Sequence, residues 1–197
     1  MRSGRLAQGE RVRAFEAAFA AAVGAAHGVA TCNGSAALYI ALRACGVGPG
    51  DEVITTPLTF IATANAIIHA GARPVFADVD ATLNLDPGDV ERRISPRTKV
   101  ILPVHLHGNP CDVLALDEIA RRHGLRLLQD ACQAVGATVH GRPLGALGTA
   151  VYSFYATKNI TTGGEGGMVV TSDPEVAAYC ASQRHQAYAA GGGYLHE

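Results

Sequence analysis

The 197-residue chain is 48% hydrophobic and 17% charged, long enough to enclose one sizeable core and too apolar for a disordered tail, so it reads as one globular domain or the larger part of one. Its 16 basic and 17 acidic side chains leave a net charge of -1, which offers no electrostatic footprint for nucleic acid or an anionic membrane and favours a small-molecule partner. The five cysteines, odd in number and without a CxxC pair, argue against a zinc site or a complete disulfide framework and fit reduced thiols in the cytoplasm.

The opening stretch, MRSGRLAQGERVRAFEAAFAAAVGAAHG, sets arginines ahead of alanine-rich sequence as a signal or transit peptide does, but Glu10 and Glu16 interrupt it. Phe15, Phe19 and Val23 recur every four residues, which predicts an amphipathic helix. Next come a strand at GVATC (28–32), a helix near 35–45, a strand at DEVITT (51–56) and a helix near 61–70. RPVFADV (73–79), a short helix near 87–94, KVILPVHL (99–106), a helix near 112–123 and LRLLQD (125–130) continue the alternation. AVYSFY (150–155) and GMVVT (167–171) end the strand series. No uninterrupted apolar run reaches the roughly 18 to 20 residues of a membrane span. Short apolar runs separated by helices predict an α/β fold, a mostly parallel sheet with helices on both faces. No linker, repeat or domain boundary is evident within residues 1–197.

Ligands of such sheets gather beyond the carboxyl ends of the strands, which directs attention to polar residues there. Asn33-Gly34-Ser35-Ala36 opens a helix, where free N–H groups and the helix dipole favour an anion; taken alone, it reads first as an ordinary N-cap by Ser35 or Asn33. Asp130 closes the run GLRLLQD, and a carboxylate in that setting needs a partner such as a protonated ring nitrogen, a lysine, an arginine or a metal. Its plainer role is to cap a helix over ACQAVGA. Lys158, between SFYAT and NITTGGEGG, is either a surface lysine in a flexible loop or an amine in a partly desolvated cleft, suited to Schiff-base chemistry. His105 and His107 in PVHLHG sit at alternate strand positions and would face the same way, but no third ligand stands at useful spacing, and no metal is expected.

A lysine, a strand-end acid and an anion cradle are jointly what pyridoxal phosphate requires, together with a flat group against its ring. The sequence resembles the DegT/DnrJ/StrS group of fold type I, pyridoxal-phosphate-dependent aminotransferases of nucleotide-activated sugars. The resemblance rests on NGSAALYIAL, GVGPGDEVITTPLTFIATANAI, GARPVFADVD, VILPVHLHGNPCD, IARRHGLRLLQDACQAVGA, SFYATKN and GGEGGMVVTSD, in order along essentially the whole chain. It implies that Lys158 forms the Schiff base with pyridoxal 5'-phosphate and later moves protons. It implies further that Asp130 pairs with the pyridine nitrogen and that Gln133, one helical turn on, bonds the ring hydroxyl. Gly34, Ser35 and Ala36 match the family's phosphate turn, Ser153 its second phosphate hydroxyl, and Phe60 the aromatic stacked on the ring, although by itself Phe60 reads as a core aromatic.

The implied partners are a nucleotide-linked keto sugar and an amino-acid donor, glutamate by resemblance, acting on a homodimer. Relatives that dehydrate the sugar carry histidine in place of the lysine, so Lys158 favours amine transfer. Family members begin with a further N-terminal segment and continue into a small C-terminal domain, whereas this sequence stops at YAAGGGYLHE. The resemblance therefore implies an incomplete large domain over 1–197, with a non-catalytic, cofactor-binding remnant as the alternative.

Overall fold

The computed structural model describes residues 8–187. Helix α1 (Glu10–Ala22) and strand β1 (His27–Thr31) lead into α2 (Gly34–Ala44), β2 (Glu52–Thr55), α3 (Ala62–His69), β3 (Arg73–Phe76) and α4 (Pro87–Arg93). Then come β4 (Thr98–Ile101), α5 (Val113–His123), β5 (Arg126–Asp130) and a small hairpin of β6 (Thr138–Val139) and β7 (Arg142–Pro143). The series closes with β8 (Thr149–Ser153), β9 (Gly167–Thr171) and α6 (Pro174–Gln183).

Seven strands form one sheet in the order β1-β9-β8-β5-β4-β2-β3. From β3 through β8 every pairing is parallel. Strand β9 runs antiparallel to both β8 and β1, so it alone opposes the other six.

Successive strand residues face opposite sides of the sheet, and this alternation divides the core. Val53, Val100, Leu128, Val151 and Val169 join the apolar faces of α2, α3 and α6 on one side. On the other, Ala150, Tyr152, Met168 and Val170 pack with Phe19 and Val23, while Ile54 and Ile101 pack with Val90 and Leu116. Phe19 meets both Tyr152 and Phe154 edge-on, at 5.0 Å between ring centres, contacts that add about 0.5–1.5 kcal/mol each beyond burial. They anchor β8 and the residue after it. Asp130 follows Leu128 by two and Ser153 follows Val151 by two, so both polar residues emerge on the side carrying α2 and α3.

The outer strands are both protected. On β1 the N–H of Ala30 donates to Glu16 Oε1 at 2.8 Å and its carbonyl accepts from Arg184 Nη1 at 3.1 Å. Glu16 and Arg184 are themselves ion-paired. On β3, Pro74 has no N–H to offer a further strand.

Several expectations need correction. The segment ACQAVGA is a series of turns, with Gly136 at φ 82°, so Gln133 is not one helical turn beyond Asp130. Strand β4 ends at Ile101, and His105 and His107 do not lie on a regular strand: His105 is fully buried, while His107 is exposed within a 3-10 turn at φ 54°. Their assumed common orientation therefore fails. The hairpin and α6 were not predicted. Residues 1–7 and the terminal YAAGGGYLHE lie outside the described residues.

Candidate active site

Asp130 ends β5 with 5% of its surface exposed. Its Oδ2 accepts a hydrogen bond from Thr63 Oγ1 at 2.8 Å and its Oδ1 accepts one from the Cys132 N–H at 3.1 Å. Thr63 comes from the first turn of α3 and is completely buried. The acid reaches the sheet's carboxyl end already oriented by both oxygens.

Asn33, not Ser35, caps α2: its Oδ1 accepts from the Ala36 N–H at 2.9 Å. The earliest N–H groups of a helix have no partner within it, and Gly34 and Ser35 border the same cavity as Asp130. A Cβ on Gly34 would lie 2.9 Å from Ser153 Cβ and 3.2 Å from Ser153 Oγ. The absence of a side chain thus lets the helix start approach the β8 hydroxyl. Gly167 permits the matching approach on β9, since a Cβ there would lie 2.3 Å from the Asn33 carbonyl oxygen. Unpaired helix-start N–H groups beside a serine hydroxyl form a donor set suited to a phosphate, so the residues present fit that group.

Beyond Ser153 the buried Phe154 holds the chain, and a loop returns to β9. The loop is closed by Phe154 N–H to Gly166 O at 2.8 Å and Ala156 N–H to Gly164 O at 2.9 Å, with Gly163 and Gly164 at φ 92° and 152°. Lys158 sits in a turn on this loop, its N–H donating to Tyr155 O at 2.9 Å, and is only partly exposed. Its Nζ lies 6.0 Å from the Phe60 ring centre. Phe60 is 65% exposed, so it is not a core aromatic; its ring stands at the cavity. Gln133 also lines the cavity, with an amide whose Oε1 accepts the His107 N–H at 2.8 Å, leaving the amide nitrogen as a donor.

The cavity encloses about 590 Å³ and brings together Gly34, Ser35, Phe60, Asp130, Gln133, Ser153 and Lys158. Ala36 stands back from it, its N–H committed to the Asn33 cap. Cys132 reports the electrostatics of the site. Burial pushes its thiol well above the ordinary range, the Asp130 charge adds to that rise, and the Lys158 charge opposes it. Behind the site, burial lowers the His105 pKa to about 4. Thr59, Thr63 and Cys132 were not anticipated. Thr63 is separated from Asp130 by 67 residues, and a threonine within an apolar helical run gives no sign of so distant a partner.

An aminotransferase is the class of protein that this fold matches. The solved structure of S. venezuelae DesV, in complex with a ketimine intermediate, superposes with a TM-score of 0.95 at 46% identity, covering 100% of this chain and 53% of that one. The chain is also similar to the spore coat polysaccharide biosynthesis protein SpsC of Bacillus subtilis (strain 168), 54% identical over 90% of this chain and 46% of SpsC. GDP-perosamine synthase of Caulobacter vibrioides is 52% identical over 83% of this chain and 44% of the synthase. The chain belongs to the DegT/DnrJ/EryC1/StrS aminotransferase family, which matches residues 1–197. It spans about half the length of the curated relatives it matches.

Proposed function

We propose that the chain is the cofactor-binding part of a pyridoxal-phosphate-dependent aminotransferase. It moves an amino group from an amino acid, glutamate by family resemblance, to a keto group of a nucleotide-activated sugar. The observation that carries this reading is the meeting of Lys158, Asp130, Gln133, Phe60 and the Gly34–Ser35–Ser153 cradle on one cavity. The likeness to GDP-perosamine synthase and to the spore coat polysaccharide biosynthesis protein SpsC supports a sugar acceptor and a role in polysaccharide synthesis.

When bound, pyridoxal 5'-phosphate supplies an aldehyde for an amine and a ring that takes up the electron pair released at the amino-bearing carbon. The α2 start and Ser153 Oγ would hold the phosphate. Asp130 would accept a hydrogen bond from the ring N–H and so favour a proton on that nitrogen. Gln133 would offer its amide N–H to the ring hydroxyl, and Phe60 would cover a ring face and exclude water. Lys158 Nζ would supply the amine for the aldehyde and a base to move the proton at the substrate carbon. We assign the whole protein to the cytoplasm as a homodimer, for which the exposed Leu58 and Ile61 offer apolar surface; sedimentation of the full-length protein checks the assembly.

Incubation with pyridoxal 5'-phosphate should give visible absorbance, and borohydride should fix the cofactor mass on the Lys158 peptide. Equal absorbance and labelling in Lys158→Ala would overturn the assignment. Cofactor binding without amine transfer from glutamate would assign turnover to the remainder of the protein.

A further inference from the structure

We infer that Thr63 is a positioning residue for Asp130 and that Thr59 completes a directed hydroxyl chain joining the acid to the Phe60 segment. The inference rests on the cofactor reading above. Thr63 Oγ1 lies 2.8 Å from Asp130 Oδ2 and 2.8 Å from Thr59 Oγ1. A carboxylate can only accept, and a threonine has one hydroxyl proton. Thr63 spends that proton on Asp130, so Thr59 is the donor in the contact between the two threonines. The other acceptor near Thr59 Oγ1, the Phe60 carbonyl, is farther away at 3.3 Å. The order is thus Thr59 to Thr63 to Asp130, each proton directed toward the acid.

This chain does two things. With the Cys132 N–H on Oδ1 it pins both carboxylate oxygens, which fixes the carboxylate plane while leaving lone pairs for a ring N–H. Hydrogen bonds onto a charged acceptor are about twice as strong as neutral ones, and linked bonds reinforce each other. The chain also sets the Phe60 segment against the acid, because the Thr63 N–H donates to the Phe60 carbonyl at 3.2 Å while its hydroxyl holds Thr59 and Asp130. The group that covers the ring face and the group that holds its nitrogen are therefore referenced to one buried side chain. A threonine that merely satisfied itself in the core would tolerate valine, which has nearly the same shape.

The test is the affinity for pyridoxal 5'-phosphate, measured by equilibrium dialysis, in Thr63→Val and Thr63→Ser, each made in the parent chain and in Asp130→Ala. Loss of a hydrogen bond to a charged group predicts weakening by roughly tenfold or more in Thr63→Val, with Thr63→Ser within about threefold of the parent. In the Asp130→Ala background Thr63→Val should weaken binding clearly less than in the parent, because its hold on the acid is already gone and only its contact with Thr59 is left to lose. In the cofactor-free chain the Thr63 hydroxyl proton, followed by NMR, should be protected from exchange and lose that protection in Asp130→Ala. Parent-like affinity in Thr63→Val, an equal loss in the Asp130→Ala background, or an unprotected hydroxyl would each overturn the inference while leaving the cofactor reading intact. Failure of the parent chain to label at Lys158 would remove the cofactor reading and the inference with it.

Discussion

Replacing Gly167 with alanine tests the architecture of the phosphate cradle directly. Its added Cβ would sit 2.3 Å from the Asn33 carbonyl oxygen, 2.4 Å from the Asn33 carbonyl carbon and 2.7 Å from the Gly34 nitrogen. All three are backbone atoms, so no rotamer change can relieve the overlap. Gly167 is paired with Thr31 on one side and Ser153 on the other, which prevents β9 from yielding. The start of α2 must therefore move away from the strand. Overpacking costs about 1–3 kcal/mol, and rigid neighbours on every side place this case near the upper end, about 3 kcal/mol. For a domain of this size each kcal/mol lowers Tm by about 2–4 °C, so thermal unfolding of Gly167→Ala should occur about 6–12 °C below the parent. Because the displaced atoms border the cradle, affinity for pyridoxal 5'-phosphate should fall in the same variant. A Tm within about 2 °C of the parent together with unchanged affinity would refute the idea that backbone contact sets the gap between β9 and α2.

Two further outcomes are expected. Hydrogen bonds from Arg73 first, then Ser95 and Arg97, hold the Glu52 carboxyl down from 4.5 to about 2. A lowered folded-state value means that this contribution is complete above pH 4.5 and fades as pH falls toward about 2. Urea midpoints measured across that acid range should show the loss in the parent and lack that component in Glu52→Gln. Among the cysteines only Cys32 is exposed, while burial raises Cys45 to about 11, Cys111 and Cys180 to about 12, and Cys132 well above the ordinary value. A chromogenic disulfide reagent should therefore react quickly with one thiol in the native protein and with all five only after denaturation.

Much of this layout was legible because it follows from local pattern. Short apolar runs bounded by glycine, proline and aspartate located the sheet strands, strand-end position directed attention to Asp130 and Lys158, and the resemblance added Gln133. Strand direction was not legible. GMVVT has the same apolar character as the parallel strands, yet β9 runs antiparallel to both of its neighbours, β8 and β1. Helix α6 had visible signals, Asp173 as cap and Pro174 in the first turn, which went unread. Gln133 lines the cavity from a turn, because Gly136 at φ 82° belongs to a chain path that is not helical. Its anchor, the backbone N–H of His107, depends on the left-handed conformation of a non-glycine residue. Nothing in HLHG specifies that conformation. The Thr63 bond to Asp130 belongs to the same class, since it depends on how α3 docks against β5 and not on either residue's neighbours in sequence.

The Glu16–Arg184 clasp on Ala30 and the proline on β3 also limit how copies of this chain can meet. Unsatisfied main-chain groups along a sheet margin would invite another polypeptide to align and lengthen the ladder. Here one margin is occupied by a carboxylate and a guanidinium, and the other lacks a donor at Pro74. Both margins are thereby made poor templates for open-ended strand addition by a further polypeptide.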